Sequence, residues 1–321
     1  MNQVIQENQT DQLLMFFKAS ADALRLDILR VLRVESFGVL ELSHVFSIPQ
    51  PAMSHHLKIL STANLVSTRR EGNSIFYRRS LIPSTEPEAG LLRALFIAID
   101  TVPVATHIQQ RAIEVHRERE LSSKAFFDKN ADRLKENQDL IAEFSHYAGC
   151  LQDLLNSESI PGDATVIEVG PGESPLLGAL LKAFTHVTAI DSSEEMLEKA
   201  KQNLGKKAAQ ASFKQGEISD LEADRADLIV VNMVLHHIAS PAVFFLTAFD
   251  KLKPGGCLFI MDLCPHGQDW TRDVCGDLWL GFESADLETW ANEAKFNVGQ
   301  SAYLGLKNGF QVQLKMFHKP S

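Results

Sequence analysis

The stretch that decides the fold reads Val166-Ile-Glu-Val-Gly170-Pro-Gly172-Glu-Ser174-Pro175. Its apolar first part is typical of a strand buried on both faces, and the two glycines allow bare backbone to approach a ligand closely. Ser174 can cap a helix whose first position Pro175 occupies, ahead of a leucine-rich segment. The stretch therefore predicts a strand, a ligand-binding glycine turn and a helix start.

The spacing of this turn restricts the ligand. A dinucleotide-binding turn has the pattern Gly-x-Gly-x-x-Gly, but Pro175 stands at its third glycine position, and no Gly-Lys-Ser/Thr follows as in a P-loop. Glu168 lies in the first strand. Asp191 ends the next apolar run about 20 residues further on, where a ribose diol is held in such folds. The pattern indicates an adenosine ligand without a pyrophosphate.

Five motifs in order resemble the class I methyltransferases that use S-adenosylmethionine (SAM). They are Glu168-x-Gly170-x-Gly172-x-Ser174 and the segments 191–197, 215–218, 227–237 and 252–260. Ser174 replaces the family's third glycine, and Glu217 replaces its usual aspartate. The resemblance implies a C-terminal α/β, Rossmann-like fold closed by an antiparallel hairpin at 298–304 and 310–317. The implied cofactor is SAM or S-adenosylhomocysteine (SAH), and the implied cofactor-binding residues are Glu168, Gly170, Gly172, Asp191, Ser192, Met196, Glu217, Ile218 and Asn232.

Charge is distributed unevenly along the 321 residues. The net charge is -10, yet residues 1–120 hold 13 Lys+Arg and 13 Asp+Glu, so the remainder carries the whole excess of acid. Such an acidic part repels nucleic acid. Between residues 53 and 80, five cations face one anion, which is the charge signature of a DNA-binding surface. The nucleic-acid partner is therefore expected at the N-terminal part of the chain.

Cysteine usage and hydropathy indicate in which cellular compartment the protein is expected. The four cysteines form no Cys-x-x-Cys pair, and no apolar run of membrane-spanning length or signal-peptide layout is present. We expect a soluble, cytoplasmic protein without a membrane partner. Cys264, His266 and Cys275 are too loosely spaced to favour a metal site over ordinary packing, and no metal is assigned.

The first 80 residues read as helix, turn, helix and hairpin. Apolar periodicity predicts helices over 13–17, 24–32 and 39–46, and another from Ala52 to Thr62 after Pro49-Gln50-Pro51. Strands follow around Gly72-Asn73, which is a hairpin turn signal. This order predicts an N-terminal α+β winged helix-turn-helix.

The helix from Ala52 to Thr62 has two distinct faces at a step of about 100° per residue. Met53, Leu57 and Leu60 share the core face, and His56 lies close to it. The predicted DNA-contacting residues lie on the remaining surface of this helix, at its start and in the wing: Gln50, Ser54, His55, His56, Lys58, Arg69 and Arg70. The alternative is a solvated helix face beside a charged hairpin.

Residues 10–85, with Ser54-His-His-Leu-Lys58 at their centre, are similar to the ArsR/SmtB family of bacterial repressors. Many members sense metals, but the helix at Val39 holds no cysteine, and His107 and His116 lack the family's accompanying carboxylates. We interpret both histidines as helix-surface residues. The resemblance implies a homodimer through the first and last helices of this part, and a two-fold double-stranded DNA operator.

Three domains are predicted from these patterns. Residues 1–85 form the DNA-binding domain, 86–155 a helical dimerisation and connector segment, and 156–321 the methyltransferase-like domain. Within the connector, helix is expected at 91–99, at 104–120 and from Ala125 to Leu155, the last as a cover for the methyltransferase-like core.

The sequence contains few residues that indicate how a methyl acceptor would be bound or activated. If an acceptor needs deprotonation, His236, His237 and His266 are the candidates, although the first two can equally just end a strand. Trp270, Trp279, Phe282 and Trp290 are as compatible with core as with a substrate wall. Amino methylation of DNA is disfavoured, because the family's Asn/Asp-Pro-Pro-aromatic loop is replaced by Asn232-Met-Val-Leu.

Two functions fit this sequence. In the favoured one, the chain is an ArsR-type transcriptional regulator whose methyltransferase-like domain binds SAM or SAH as an effector of DNA binding. In the alternative, it is an active SAM-dependent small-molecule methyltransferase with a DNA-binding arm. The sequence contains all the elements of the DNA-binding arm but no complete signature of a methyl-acceptor site, which favours the regulator.

Overall fold

The computed structural model describes residues 2–71, 74–80, 89–158 and 160–321, with backbone alone at 2–9 and Glu71. The chain divides into two compact units, Met1–Glu118 and Arg119–Ser321. The stretch 86–155 contributes to both, because Ile99 and Val115 belong to the first unit's core while Tyr147 belongs to the second unit's core. The division of the sequence between the two units therefore falls inside the predicted connector.

The first unit is a winged helix-turn-helix, as the sequence predicted. Its elements are α1 (Asn2–Ser20), α2 (Ala23–Val31), β1 (Phe37–Gly38), α3 (Val39–Phe46), α4 (Gln50–Thr62), β2 (Val66–Glu71), β3 (Ser74–Arg79), α5 (Ala89–Asp100) and the first half of α6 (Thr106–Asn130). The strands form a small sheet in the order β1-β3-β2. Leu29, Leu42 and Leu57 are buried in the core that the helices share.

A tight turn joins the two helices of the DNA-binding motif. Ser47 adopts the left-handed conformation at φ 53°, which ends α3. Helix α4 then begins at Gln50, two residues before the predicted Ala52, because Pro51 lies in the first turn, where a missing N–H costs nothing. The predicted Gly72-Asn73 turn lies outside the described residues, and β2 and β3 are paired on either side of it.

The second unit has the predicted α/β architecture. Beyond α6 it contains α7 (Leu134–Asp139), α8 (Phe144–Ser157), β4 (Thr165–Val169), α9 (Leu176–Ala183), β5 (His186–Asp191), α10 (Glu194–Leu204), β6 (Ala211–Gln215), β7 (Ala226–Asn232), α11 (Pro241–Lys251), β8 (Leu252–Leu263), α12 (Trp270–Cys275), α13 (Ser284–Glu293), β9 (Asn297–Gly305) and β10 (Gln311–His318). The continuous helix predicted from Ala125 to Leu155 is therefore wrong in detail: α6, α7 and α8 share that stretch.

The sheet of the second unit brings the predicted cofactor motifs to one edge. Its seven strands run in the order β6-β5-β4-β7-β8-β10-β9, with β10 antiparallel to both neighbours, which confirms the closing hairpin. The parallel strands β4, β5 and β7 end before Gly170, at Asp191 and at Asn232. In such sheets, ligands bind at the carboxyl ends of the strands. Among the described residues, no helix is long and apolar enough to cross a membrane.

Candidate cofactor site and nucleic-acid interface

A cleft of about 230 Å³ opens at the carboxyl edge of the parallel strands. Most predicted cofactor residues line it: Gly170, Gly172, Asp191, Ser192, Met196, Glu217, Ile218 and Asn232. These positions come from four different parts of the sequence. The topology of the sheet is what brings them to one cavity.

The backbone of the glycine turn requires glycine. Gly170 and Gly172 have φ values of +64° and +48°, in the left-handed region that other residues rarely adopt. A Cβ on Gly170 would also fall 2.6 Å from a methyl carbon of Val234. The turn therefore presents bare backbone to the cleft, which suits a ligand that must lie close to the chain.

Asp191 ends β5 with its carboxylate anchored. One oxygen accepts a hydrogen bond from the backbone N–H of Ser193 at 2.9 Å, and the Ser193 hydroxyl caps α10 by accepting from Met196. Burial raises the pKa of Asp191 to about 6, and the nearby Asp128 raises it further against the backbone bonds that lower it. This carboxylate is placed to accept hydrogen bonds from the hydroxyls of a bound sugar.

Ser174, at the family's third glycine position, takes part in a buried hydrogen-bond chain. Its hydroxyl oxygen accepts from the Asn232 amide at 3.2 Å, and the Asn232 oxygen accepts from the hydroxyl of Tyr147 at 3.0 Å. Burial raises the pKa of Tyr147, so this hydroxyl stays a donor. Asn232 therefore ties α8 to the glycine turn as well as lining the cleft.

Glu168 differs from the other predicted cofactor residues, because it lies below the cleft lining. It is 1% exposed, and neither carboxylate oxygen has a hydrogen-bond partner. Burial raises the pKa of this carboxyl well above its usual range. A buried, unsatisfied carboxyl under a glycine turn fits a cofactor that brings an ammonium group, since an opposite charge stabilises the carboxylate.

The side of the cleft at Glu217 is acidic. The backbone N–H of Glu217 donates to Asp220 at 2.8 Å, which fixes the turn after β6. Burial and Asp220 raise the pKa of Glu217, and burial and Glu217 raise the pKa of Glu120. Glu217 and Glu120 therefore both bring carboxyl groups to the lining of the cleft.

His236 and His237 follow β7 and both line the cleft. Nδ1 of His236 lies 2.7 Å from Asp262, and its Nε2 lies 3.6 Å from Asp277. Burial disfavours the charge on His236, but the two carboxylates outweigh it and raise its pKa to about 9. The pKa of His237 is lowered well below its usual value by burial and by the neighbouring His236. The pKa values of the two adjacent rings are therefore shifted in opposite directions.

His236, His237 and Asp277 also form a set that could hold a cation, with one ligand atom of each within 4.8 Å of the others. The proton on His236 already supplies positive charge between Asp262 and Asp277. Both carboxylate oxygens of Asp277 and Nε2 of His237 have no hydrogen-bond partner among the described residues. Sequence patterns did not identify Asp277, because it follows α12 and is about 40 residues from the histidines.

The third histidine candidate lies elsewhere. His266 is outside the cleft lining and packs edge-on against Phe310 at 4.8 Å. Burial lowers its pKa to about 4. The aromatic residues after β8 also lie outside the cleft lining. Trp279 and Phe282 are buried in the core. Trp270 and Trp290 are half-buried and contact the rings of Phe310 and Phe282.

The sequence analysis did not identify the residues that form one wall of the cleft. The second half of α6, α7 and α8 supply it, including Ser123, Phe127, Phe144 and Tyr147. The only available signal was the predicted helical cover of the core. An amphipathic helix does not reveal from its pattern whether its apolar face meets the core or a ligand cavity.

In the first unit, α4 presents the predicted surface. Met53, Leu57 and Leu60 are buried, whereas the predicted DNA-contacting residues Gln50, Ser54, His55 and Lys58 are exposed. His56 is half-buried, as its position near the core face predicted. The polar face of α4 is therefore open to a partner, and its contact with DNA stays a prediction.

The cations of the wing differ in their surroundings. Arg69 and Arg70 lie on β2, with Arg70 exposed. Arg79 is instead buried, with both terminal nitrogens of its guanidinium bonded to the carboxylate of Asp100. Its charge is used inside the unit, so the local excess of positive charge available to DNA is smaller than the sequence count.

The two histidines of the last helix also differ. His107 is exposed, as expected. His116 is half-buried, forms an ion-pair contact with Glu35 and packs against the Phe37 ring at 5.3 Å. The prediction of a helix-surface residue is therefore wrong for His116, because the segment around β1 folds over it.

Comparison with known proteins agrees with both halves of this description. A family model described as "Methyltransferase domain" matches residues 98–300, and one described as "Bacterial regulatory protein, arsR family" matches residues 22–68. A carboxy-S-adenosyl-L-methionine synthase of Shewanella piezotolerans is 30% identical over 104 residues, covering 31% of this chain and 43% of the relative. A ubiquinone biosynthesis O-methyltransferase of Xylella fastidiosa is 34% identical over 111 residues, covering 34% and 45%. The chain thus spans less than half the length of these curated relatives.

Solved structures share the fold of the second unit. Magnesium protoporphyrin IX methyltransferase from Synechocystis PCC 6803, with bound SAH, has a TM-score of 0.53 at 15% identity, covering 63% of this chain and 99% of that one. Phosphoethanolamine N-methyltransferase 1 of Haemonchus contortus, also with SAH, has a TM-score of 0.51 at 18% identity, covering 64% and 50%. The chain therefore belongs to the methyltransferase domain family, whose cofactor is SAM or SAH, and its first unit carries an ArsR-family helix-turn-helix.

Proposed function

We propose that this protein is a DNA-binding transcriptional regulator of the ArsR type in which SAM or SAH, bound in the second unit, controls DNA binding. One observation carries the effector role: a single helix supplies residues to both units. Helix α6 contributes Ile108 and Val115 to the core of the first unit, and Ser123 and Phe127 to the lining of the cofactor cleft. A ligand that changes the position of α6 in the cleft acts on an element that the DNA-binding unit also packs against.

Different residues of the second unit would bind different parts of the cofactor. Asp191 would accept the ribose hydroxyls, the Gly170 turn would allow close approach, and the unpartnered carboxyl of Glu168 would pair with the amino group. SAM, when bound, supplies an electrophilic methyl group, whereas SAH lacks it. An effector role needs only binding, and both ligands share the groups that these residues recognise.

The DNA partner would be a two-fold operator bound by a homodimer. The exposed polar face of α4 provides base and phosphate contacts, and Arg69 and Arg70 provide phosphate or minor-groove contacts. Exposed apolar side chains support dimerisation through the helices of this unit, such as Phe17 on α1, Ile97 on α5 and Ile113 on α6.

Coupling between the ligand and DNA tests the proposal. A duplex selected from a random library by the full-length protein is titrated by fluorescence anisotropy with and without saturating SAM or SAH. We expect at least about a fivefold change in DNA affinity with one of them, and the same factor in the affinity for that ligand when DNA is present. SAH binding by calorimetry together with unchanged DNA affinity contradicts the effector role.

Two variants separate the sites. Asp191→Ala should abolish the ligand effect and leave unliganded DNA affinity intact. Arg70→Ala should weaken DNA binding and reduce the salt slope by about 1, while SAH calorimetry stays unchanged. Lys206→Ala, which removes one exposed charge of the second unit, is the matched control and should alter neither.

A second candidate function is methyl transfer to a small molecule. The arrangement that favours methyl transfer is a histidine beside aromatic side chains in the same cleft. The ring centroids of Phe127 and His237 are 4.8 Å apart. Cofactor binding alone needs no such compartment. Transfer of radiolabel from SAM to an added acceptor tests this function independently of DNA binding.

A further inference from the structure

Three buried side chains meet after β7, and two of them line the cofactor cleft. Nε2 of His236 lies 3.6 Å from one carboxylate oxygen of Asp277, and Nδ1 of His237 lies 3.8 Å from the same oxygen. Both distances exceed those of hydrogen bonds. They are close to the separation of about 3.4 Å between two ligand atoms that each lie about 2.1 Å from a tetrahedral metal ion. The three groups are therefore spaced for a shared ion.

Asp277 lacks the partners that a buried carboxylate requires. It is 3% exposed, and neither of its oxygens has a hydrogen-bond partner among the residues that the structure describes. A proton on His236 places positive charge nearby, but the distance of 3.6 Å is too long for a hydrogen bond to either oxygen. Buried polar atoms are normally paired, so these oxygens beside two imidazoles suit a positively charged ligand.

Asp262 orients the ring of His236. One oxygen of Asp262 lies 2.7 Å from Nδ1 of His236, so Nδ1 carries a proton and Nε2 is the nitrogen that faces Asp277. The backbone N–H groups of His236 and Leu263 donate to the same carboxylate at 3.3 Å and 2.7 Å, which fixes its position. Metal-binding histidines are typically held in this way, with the far nitrogen bonded to a carboxylate and the near nitrogen free for the ion.

The backbone holds Asp277 beside the histidines. Gly276 ends α12 in the left-handed conformation at φ 79°, and the two N–H groups that follow Asp277 both donate to the backbone oxygen of His236 at 3.1 Å. The backbone oxygen of Gly276 lies 3.2 Å from Nδ1 of His237, which is also within the range of separations between ligands of one ion. It accepts from Nδ1 when that nitrogen carries a proton, and is available to an ion when it does not. Main-chain hydrogen bonds thus hold the groups in place before any ion binds, as a preformed metal site requires.

The donor atoms indicate which ions fit. Imidazole nitrogens suit Zn²⁺ and its neighbours in the first transition row, whereas Mg²⁺ and Ca²⁺ prefer sites built from oxygen atoms. Two imidazoles and a carboxylate form the ligand set of zinc sites that keep a further position for water. His236 and His237 line the cleft of about 230 Å³, so an ion has a path to the site and its remaining positions are reached from the cleft.

We propose that His236, His237 and Asp277 bind a divalent first-row metal ion such as Zn²⁺ through Nε2, Nδ1 and a carboxylate oxygen, with Asp262 as the positioning residue of His236. The ion replaces the proton on Nδ1 of His237 and any proton on Nε2 of His236, and these protons pass to solvent. None of the residues considered for a metal from the sequence belongs to this set. The ion is separate from the proposed function, because neither DNA binding nor recognition of SAM or SAH requires it. Failure of one proposal therefore leaves the other standing.

Calorimetry of the full-length, chelator-treated protein with zinc chloride tests the site without DNA or SAH. We expect about one ion per chain with a Kd below about 10 μM, and binding of Mg²⁺ at least about 100-fold weaker. Co²⁺ should bind at the same site and give a visible spectrum of nitrogen and oxygen ligation, without the near-ultraviolet band of a cysteine thiolate. Lack of Zn²⁺ binding at this affinity, equal affinity for Mg²⁺, or a thiolate band overturns the proposal.

Variants assign the ion to these residues. Asp277→Asn and His237→Gln should weaken Zn²⁺ binding at least about 100-fold, and Asp262→Asn about tenfold. The matched controls Asp273→Asn, exposed on α12, and His107→Gln, exposed in the first unit, should bind Zn²⁺ like the wild type.

Urea denaturation provides a second readout. Zn²⁺ should raise the urea midpoint of the wild type but not that of Asp277→Asn, and curves without the ion show whether each variant is folded. A folded Asp277→Asn protein with wild-type affinity for Zn²⁺ contradicts the assignment. If this variant does not fold, the Co²⁺ spectrum of the wild type decides between imidazole and thiolate ligands.

Discussion

The ionisation of Asp191 should make SAH binding depend on pH. Burial raises its pKa to about 6, so the carboxyl is protonated below that pH in the ligand-free protein. Ribose hydroxyls need the carboxylate as an acceptor, so affinity is full above about pH 7 and falls as the pH drops through 6. At pH 5 about one molecule in eleven is ionised, and we expect binding about tenfold weaker, or about 1.4 kcal/mol.

Calorimetry of SAH binding between pH 5 and pH 7.5 measures this effect. The amino and carboxyl groups of SAH do not titrate in that range. Burial raises the pKa of Glu168 well above the usual range, so its ionisation on binding an ammonium group contributes equally to the wild type and the variant. The control is Asp191→Asn, which should bind SAH more weakly and with a shallower slope between pH 5 and pH 7.

The same variant has a stability consequence of opposite sign. Because the folded-state pKa of Asp191 is raised from 3.8 to about 6, the ionised group destabilises the ligand-free fold, and the cost grows as pH rises through this window. Asp191→Asn should therefore stabilise the ligand-free protein at pH 7 by up to about 3 kcal/mol, and much less at pH 4. A pH-independent affinity of the wild type, or the same slope in the variant, refutes the reasoning.

Two further pairs of variants test packing around the cofactor turn. Gly170→Ala should lower the free energy of unfolding by more than Gly172→Ala. Both variants suffer about 1–2 kcal/mol of left-handed strain, but only Gly170→Ala places its Cβ 2.6 Å from a valine methyl carbon. Equal losses of unfolding free energy in urea denaturation contradict this prediction. Tyr147→Phe should cost about 1–3 kcal/mol, because it leaves the buried Asn232 oxygen without its donor. Tyr303→Phe removes a hydroxyl from an exposed side chain and should cost under about 0.5 kcal/mol in the same urea denaturation.

Local patterns predicted the elements that have a strong period or a turn residue with a physical role. The two glycines of the cofactor turn predicted a turn of bare backbone, which the structure forms with positive φ values, and the stripe of Met53, Leu57 and Leu60 predicted the buried face of α4. The errors fall where several elements compete. The helical stretch before β4 breaks into α6, α7 and α8 because its residues pack against different partners.

The same limit applied to single side chains. His116 has the periodicity of a surface residue, yet Glu35 and Phe37 cover it, and a helix pattern carries no record of the segment that folds over it. Arg79 counts as a wing cation in the sequence but pairs with Asp100. Distant partners decided both environments.

By itself, the sequence determined the two-part organisation and the cofactor turn. Glycine conformation and apolar periodicity act over a few residues, and the order of the motifs along the chain can be read directly. The stretch from Val166 to Pro175 therefore predicted a strand, a turn and a helix that the structure confirms. Only the tertiary structure decided which groups share the cleft. Asp262 and Asp277 meet His236 and His237 because β8 and the segment after α12 pack at the end of β7. The two carboxylates then raise the pKa of His236, whereas burial and the neighbouring His236 lower the pKa of His237.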